Sequence, residues 1–374
     1  MSAMKIDHYE EQHRKEHADS ALAVSEGVGD APSVNPYFKH IARRDLNTDQ
    51  MVEGILRSDI TVLSQAITLV ESNKPEHYHK AQQIIERCLP HAGNSIRIGI
   101  TGVPGAGKST FIEAIGGMVE RRGHKLAVLA IDPSSERSKG SILGDKTRMA
   151  EISGNPNIFI RPSPSAGSLG GVARKTRETI VLCEAAGYDM IFIETVGVGQ
   201  SETAVHSMAD MFMMLQIAGA GDELQGIKRG IMEMADIVAI TKADGDNITG
   251  AQLAKSHLVN ALMLFPLPDS GWRPQVFTCS AVTREGLNEI WENVEEYMRA
   301  IKQNGYFTHN RNKQGKYWMY ETINEGLRNS FYHDPTIESL LPECEQRVLD
   351  NKKSSFVAAK ELLGKYFDTI NKNQ

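Results

Sequence analysis

The sequence has no apolar run near the ~20 residues that a helix needs to cross a bilayer. Its best run, Met211–Ala220, is far shorter and is interrupted by Gln216. Cysteine is scarce as well. Cys88, Cys183, Cys279 and Cys344 are widely scattered with no CxxC pair. That spacing suggests neither a disulfide framework nor a structural zinc site, and it predicts buried free thiols in a reducing compartment. An excess of positive charge is also missing. Forty-one Lys and Arg stand against 47 Asp and Glu, a net charge of −6, which counts against a general nucleic-acid binder. The first 31 residues hold seven acids (Asp7, Glu10, Glu11, Glu16, Asp19, Glu26, Asp30) and three bases (Lys5, Arg14, Lys15). Signal and transit peptides are acid-poor, so the expectation is a cytoplasmic chain with no membrane and no nucleic-acid partner.

What is present is a chain able to fold. Its 374 residues are 41% hydrophobic and 24% charged, values that permit one large domain or two modest ones with a real core. Residues 1–45 are polar without a sustained apolar period and read as a flexible extension. Met51, Ile55, Leu56, Ile60, Leu63, Ile67 and Val70 then recur at helical spacing, with Asp59 as a plausible N-cap and Pro75 closing the stretch. A further helix is expected near Glu76–Leu89, so residues 46–94 read as a helical N-terminal region.

The period then switches. Ile96–Thr101, Leu126–Ile131, Ile158–Ile160, Met190–Glu194, Met211–Ile217, Ile237–Thr241 and Gln275–Thr278 are mostly continuous apolar runs. Such runs suit strands buried on both faces. Helical stretches near Ser109–Arg122, Arg174–Ala186, Thr249–Phe265 and Glu285–Gln303 lie between them. The alternation predicts an α/β fold with a mostly parallel central sheet over residues 95–303. After Asn304 strands stop. Lys316–Phe331 and Glu343–Phe367 read as helices with Pro335 and Pro342 between them, so residues 304–374 read as a helical arm that looks separable from the strands before it.

The strongest chemical signal is the run Gly102, Val103, Pro104, Gly105, Ala106, Gly107, Lys108, Ser109, followed by Thr110. It fits G-x-x-x-x-G-K-[ST], with a strand before it and a helix after it. Glycines let backbone N–H groups turn inward around a phosphate, and the helix N-terminus adds its dipole. Lys108 would reach the β/γ-phosphates and the Ser109 hydroxyl would ligate Mg²⁺. A carboxylate near that ion should end another buried strand, and Asp132 and Glu194 both qualify. Glu194-Thr-Val-Gly197 has the E-x-x-G spacing that would let the Gly197 N–H approach the γ-phosphate.

Thr241-Lys242-Ala243-Asp244 sets the base. The Asp244 carboxylate can accept from guanine N1–H and N2–H₂, donors that adenine lacks, and leaving buried polar groups unpaired costs about 1–3 kcal/mol each. Lys242 would lie along the base plane. Ser280-Ala281, after the last strand, fits a second guanine-contacting loop in which the Ala281 N–H meets O6. No clear water-positioning glutamine or arginine finger stands out, although Gln200 and Gln225 are candidates, so slow intrinsic hydrolysis raised by a partner is expected. The histidines show no comparable pattern: His13 and His17 share a helix face, but no further metal ligand accompanies them.

Several segments together resemble one family. These are Asp132-Pro-Ser-Ser135, Gly140–Met149, Phe159–Pro164, Gly170–Arg174, Glu194–Glu202 and Gly221–Gly230. They resemble the methylmalonyl-CoA mutase-associated GTPases of the MeaB type, also known as ArgK or LAO/AO transport-system kinases, and the resemblance covers roughly residues 48–370. It implies a P-loop G domain flanked by a helical N-terminal region and a C-terminal helical dimerisation arm. It also implies a GTP hydrolase that binds GTP/GDP with Mg²⁺ and works as a homodimer. Its role would be that of a chaperone gating adenosylcobalamin delivery to a methylmalonyl-CoA mutase-like enzyme, which it protects or reactivates. Position by position, Ser109, Asp132, Asp145 and Glu194 match the magnesium site, Lys108 the phosphate lysine, and Lys242 and Asp244 the base readers. Gln225 and Lys228 match a switch loop that orders on partner binding and would take part in catalysis. The chain departs from the family at Ser138-Lys139, where Thr-Gly is usual. Two alternatives remain open at this point: a kinase of a lysine-arginine-ornithine transport system, and a nickel metallochaperone GTPase, which would want clustered His or Cys ligands.

Overall fold

The computed structural model describes residues 46–131, 149–162, 169–195, 201–219 and 229–372. The chain divides into residues 1–45 and 46–374, and the description concerns the second unit. Its centre is a seven-stranded parallel sheet: β1 (Ile96–Gly102), β2 (Leu126–Ile131), β3 (Ile158–Arg161), β4 (Met190–Thr195), β5 (Met211–Ile217), β6 (Ile237–Thr241) and β7 (Gln275–Thr278). The order is β3-β2-β4-β1-β5-β6-β7, so β1 lies directly between β4 and β5. The fold is thus the expected α/β architecture, each strand within about one residue of its apolar run.

Strand alternation sends neighbouring residues to opposite faces. On β4, Ile191 and Ile193 face a core shared with α1 (Thr48–Leu56), α2 (Ile60–Glu71), α3 (Pro75–Cys88), α5 (Leu169–Ala185) and α6 (Ser201–His206). Met190 and Phe192 face the opposite core, built with α4 (Lys108–Arg121) and α9 (Leu287–Gln303). A third cluster packs Met214, Val238 and Ile240 against α7 (Arg229–Met234) and α8 (Ile248–Met263). Residues such as Leu63, Ile67 and Phe192 are at most 1% exposed, each worth about 1.5–3 kcal/mol of burial.

Local signals explain the N-terminal layer. Asp59 caps α2, its carboxylate accepting the N–H groups of Thr61 at 2.8 Å and Val62 at 3.1 Å. Pro75 does more than close a stretch: it is the first residue of α3, where a missing N–H costs nothing. Asn47 and Gln50 form a capping box for α1. All four cysteines are buried and free. No described helix is long and apolar enough to cross a membrane.

Beyond α9 run α10 (Tyr306–Tyr332), α11 (Pro335–Leu349) and α12 (Ser355–Lys372). Pro342 lies inside α11 and does not separate two helices, which corrects the expected break. The real break comes at Asn351, in the left-handed region at φ 55°, with the Lys352 N–H closing back on the Arg347 carbonyl at 2.9 Å. Asn tolerates that conformation at a helix end.

The start of α10 is fastened beneath the sheet. The Arg311 guanidinium donates to both oxygens of Asp210 at 2.6 and 2.7 Å. Asp210 also accepts the Arg97 N–H at 2.8 Å, while the Arg97 side chain pairs with Glu184 at 2.9 and 3.0 Å. Burial alone would raise the Glu184 pKa, yet Arg97, Ser95 and Arg311 together hold it below the usual carboxylate range. An arm cut at residue 304 would therefore take with it one cation of a buried network.

Candidate nucleotide site

The phosphate loop follows from its glycines. Gly105 and Gly107 sit at φ +79° and +75°, a region that L side chains rarely adopt. Gly102 is needed for a different reason: a Cβ there would lie 2.6 Å from the Leu215 carbonyl oxygen of β5. The loop delivers Lys108 as the first residue of α4, with Ser109 and Thr110 behind it. Unpaired N–H groups of the first turn and the helix dipole make that end an anion seat. Lys108 Nζ donates to the Gly102 carbonyl at 2.9 Å. Burial pulls the Lys108 pKa below the ordinary lysine value, opposed by the charges of Glu194 and Glu202.

Glu194 is 4% exposed and lies in register with Ile100 of β1 and Ala130 of β2. The expected carboxylate thus stands beside the strand that carries the phosphate loop. Thr195 next to it donates to the Thr101 hydroxyl at 3.0 Å, joining the two strand ends.

On the other side of β1, Thr241 ends β6. Its hydroxyl lies 2.7 Å from the Ala106 carbonyl and 2.9 Å from that of Gln216, sharing one proton between the phosphate loop and β5. Lys242 takes a left-handed backbone at φ 56°, and its Cε lies 3.9 Å from the position of a Cβ on Gly107. The lysine stem therefore lies over the phosphate loop. Asn247 donates to the Lys242 carbonyl at 2.7 Å.

Asp244 and the Ser280 loop are brought together by backbone pairing. Ala243 N–H bonds the Cys279 carbonyl at 3.0 Å, and Cys279 N–H bonds that of Ile240 at 2.8 Å. The buried Ser280 hydroxyl then donates to the Asp244 carboxylate, while its oxygen accepts the N–H groups of Val282 at 3.2 Å and Thr283 at 3.1 Å. Ala281 follows on the partly open side. Gly286 closes the loop, because a Cβ there would lie 2.2 Å from the Thr278 carbonyl oxygen.

Gly102 through Thr110, Glu194, Lys242, Asp244, Ser280 and Ala281 thus converge along the C-terminal edge of the sheet, where α/β folds bind ligands. Asp132, Asp145, Gly197, Gln200, Gln225 and Lys228 lie outside the described residues. Among those described, no group of three or more His, Cys, Asp or Glu is placed to hold a metal ion. The Thr101–Thr195 pair, Asn247 and Gly286 were not among the expected site residues. Gly286 had a visible signal, a glycine just before a helix; the Thr101–Thr195 pair joins residues 94 apart in sequence, and Asn247 bonds back five residues to Lys242.

The geometry agrees with the comparisons to known proteins. A profile described as methylmalonyl Co-A mutase-associated GTPase MeaB matches residues 63–336. A probable GTPase of Mycobacterium tuberculosis is 48% identical over 319 residues, 85% of this chain and 95% of that one. The protein of Mus musculus named methylmalonic aciduria type A homolog, mitochondrial, is 46% identical over 325 residues, 84% of this chain and 78% of that one. The crystal structure of an LAO/AO transport system kinase superposes with a TM-score of 0.66 at 36% identity, covering 85% of this chain and 96% of that one. A phosphate loop, a Thr-Lys-x-Asp strand end beside it and matches along most of the chain lead to one conclusion: the protein is a P-loop GTPase belonging to the methylmalonyl-CoA mutase-associated GTPase family.

Proposed function

We propose that this GTPase is a Mg²⁺-dependent G-protein chaperone of an adenosylcobalamin-dependent acyl-CoA mutase, gating cofactor loading and protecting or reactivating the enzyme. The observation that carries the reading is the 46% identity, over 84% of the chain, to a protein named for methylmalonic aciduria. The family description itself names methylmalonyl-CoA mutase. A cytoplasmic homodimer is part of the same reading. Dimerisation is supported by the apolar side chains that α11 and α12 leave open, with Phe356 87% and Leu349 74% exposed.

The donor set suits the ion. The Ser109 hydroxyl and the Glu194 carboxylate are hard oxygen ligands of the kind Mg²⁺ takes, and Asp132 and Asp145 would complete them. Bound there, the ion would neutralise charge on the β- and γ-phosphates. Lys108 adds a second positive charge at the phosphates, and the amides of Gly105–Ser109 would hold the β-phosphate in place. Asp244 and Lys242 select and cover the guanine. Gln225 and Lys228 are proposed to act when the client binds, a cation arriving at the γ-phosphate as charge develops.

The test is to capture the native partner with the tagged full chain and to measure GTP hydrolysis with and without it. Recovery of a cobalamin mutase that raises hydrolysis supports the proposal. With Gln225→Ala or Lys228→Ala, basal hydrolysis should persist while most of the stimulation is lost. Transfer of the γ-phosphate label to a substrate-binding transport protein would favour the kinase reading, named for the structural relative.

A further inference from the structure

Three side chains on one face of α10 grip the turn that leads from α6 into β5. Trp318 donates its indole N–H to the Ser207 carbonyl at 3.1 Å. About one turn earlier, Gln314 donates from Nε2 to the Ala209 carbonyl at 2.7 Å. Arg311 then holds the Asp210 carboxylate. Positions 311, 314 and 318 follow the three- and four-residue spacing of one helix face. In its 27 residues α10 buries two side chains, Gln314 and Trp318. The helix commits its burial to this turn.

The turn matters because of what α6 touches. α6 has six residues, Ser201–His206, and a helix so short has little stability of its own. Its position is set by its attachments. It lies on β1 at Gly99, where a Cβ would come 2.7 Å from Val205 Cγ1 and 3.2 Å from Ala209 Cβ. Glycine there admits α6 against the strand that three residues later becomes the phosphate loop. At the other end Ser201 and Glu202 are 1% and 4% exposed, and the Glu202 charge acts on Lys108. One short helix therefore rests on the phosphate-loop strand, carries a carboxylate whose charge acts on Lys108, and runs into the turn that the C-terminal arm holds.

We propose that Gln314 and Trp318 are positioning residues for GTP hydrolysis: by clamping residues 207–210 they fix α6, and with it the seat of α6 on the strand that carries the phosphate loop. The arm helix and the nucleotide site are then energetically coupled. Because α6 rests on the phosphate-loop strand and runs into the clamped turn, a shift of α6 between nucleotide states would reach the hold of α10 on that turn. A protein lying along α10 would alter hydrolysis without touching the nucleotide. The proposal rests on the GTPase activity alone and holds whatever the client is.

The test uses the full-length chain. Trp318→Phe keeps a ring and removes the donor, and Gln314→Met keeps length and removes the amide. The double variant should lose about 5- to 20-fold in kcat, within the usual range of site–site coupling, with KM for GTP changed less than about twofold. The unmodified protein supplies an independent measurement. Hydrogen exchange at the amides of residues 207–212 and 311–318 should differ between the GDP-bound form and one holding a non-hydrolysable GTP analogue. Parental kcat in a folded double variant would overturn the proposal, and so would identical exchange in both nucleotide states. A variant that fails to fold leaves the exchange measurement to decide.

Discussion

The Thr241 hydroxyl lies 2.7 Å from the Ala106 carbonyl oxygen, so the strand end proposed to read the base is tied to the phosphate loop. Thr241→Val keeps the shape and removes the donor, leaving the carbonyls of Ala106 and Gln216 to compete for no proton. The expected cost is about 1–3 kcal/mol. Guanine nucleotide affinity and thermal stability should fall together, and Thr241→Ser should recover most of both. A valine variant with parental GDP affinity would show that the tie does not matter for binding.

Lys108→Ala should abolish tight GTP binding while circular dichroism shows an intact fold, because it removes a charge from the proposed phosphate seat and nothing from a core. The lowered Lys108 pKa also sets a pH dependence. Its charge is present below its pKa and is lost, as pH rises, earlier than that of an ordinary lysine. GTP affinity measured from about pH 7 to about pH 10 should therefore fall before a free lysine would titrate. In Lys108→Arg, any remaining affinity should lack that early fall.

Asp244→Asn should weaken GTP and favour a xanthine nucleotide, since the new amide can donate to the carbonyl at position 2. The Ser280 hydroxyl, which donates to Asp244, would still find an acceptor in the amide oxygen. Competition among GTP, XTP and ATP reads the outcome, and an unchanged order of preference would remove Asp244 from base reading.

Asp236 predicts a pH effect on stability. Burial pushes its pKa up to about 7, against which the Phe212 N–H, donating at 2.8 Å, works in the opposite direction. A carboxyl raised in the folded state binds more protons there than in the unfolded chain. Stability therefore falls as pH rises between the two values and stays lower above about 7. Asp236→Asn should be more stable than the parent at both about pH 5 and about pH 8, with the larger gain at about pH 8, by roughly 2–3 kcal/mol more than at about pH 5. Urea unfolding at the two pH values decides it, and equal effects at both would contradict the assignment.

Two truncations should behave differently. Removing residues 335–374 leaves Arg311, Gln314 and Trp318 in place and takes away the exposed apolar faces of α11 and α12. That chain should bind GTP and scatter light as a monomer. Removing residues 305–374 also takes Arg311 from buried Asp210, and breaking such a pair costs about 3–5 kcal/mol. The shorter chain should unfold at clearly lower denaturant. A dimer that survives the first cut would place the interface elsewhere.

Much of the fold was legible because parallel strands covered on both faces must be apolar throughout, and those runs stand out. The phosphate loop and the Thr-Lys-x-Asp end were legible because their chemistry fixes residue types at short spacing. Where sequence reading stopped, the partners are distant along the chain. Nothing near Arg311 announces Asp210, 101 residues earlier, so residue 304 looked like a clean boundary. Pro342 looked like a break because proline disfavours helix interiors, yet packing carries α11 through it, and Asn351 ends the helix by backbone conformation instead.

Lys242 illustrates how stability and function can be set against each other at one residue. Its left-handed backbone costs a non-glycine residue about 1–2 kcal/mol, and glycine would relieve that strain. Glycine would also remove the stem that lies over Gly107. Selection for thermal resistance alone should therefore drift toward Lys242→Gly, and selection for nucleotide retention should hold the lysine. A library sorted first for heat and then for GTP binding would lose at the second step what it had enriched at the first.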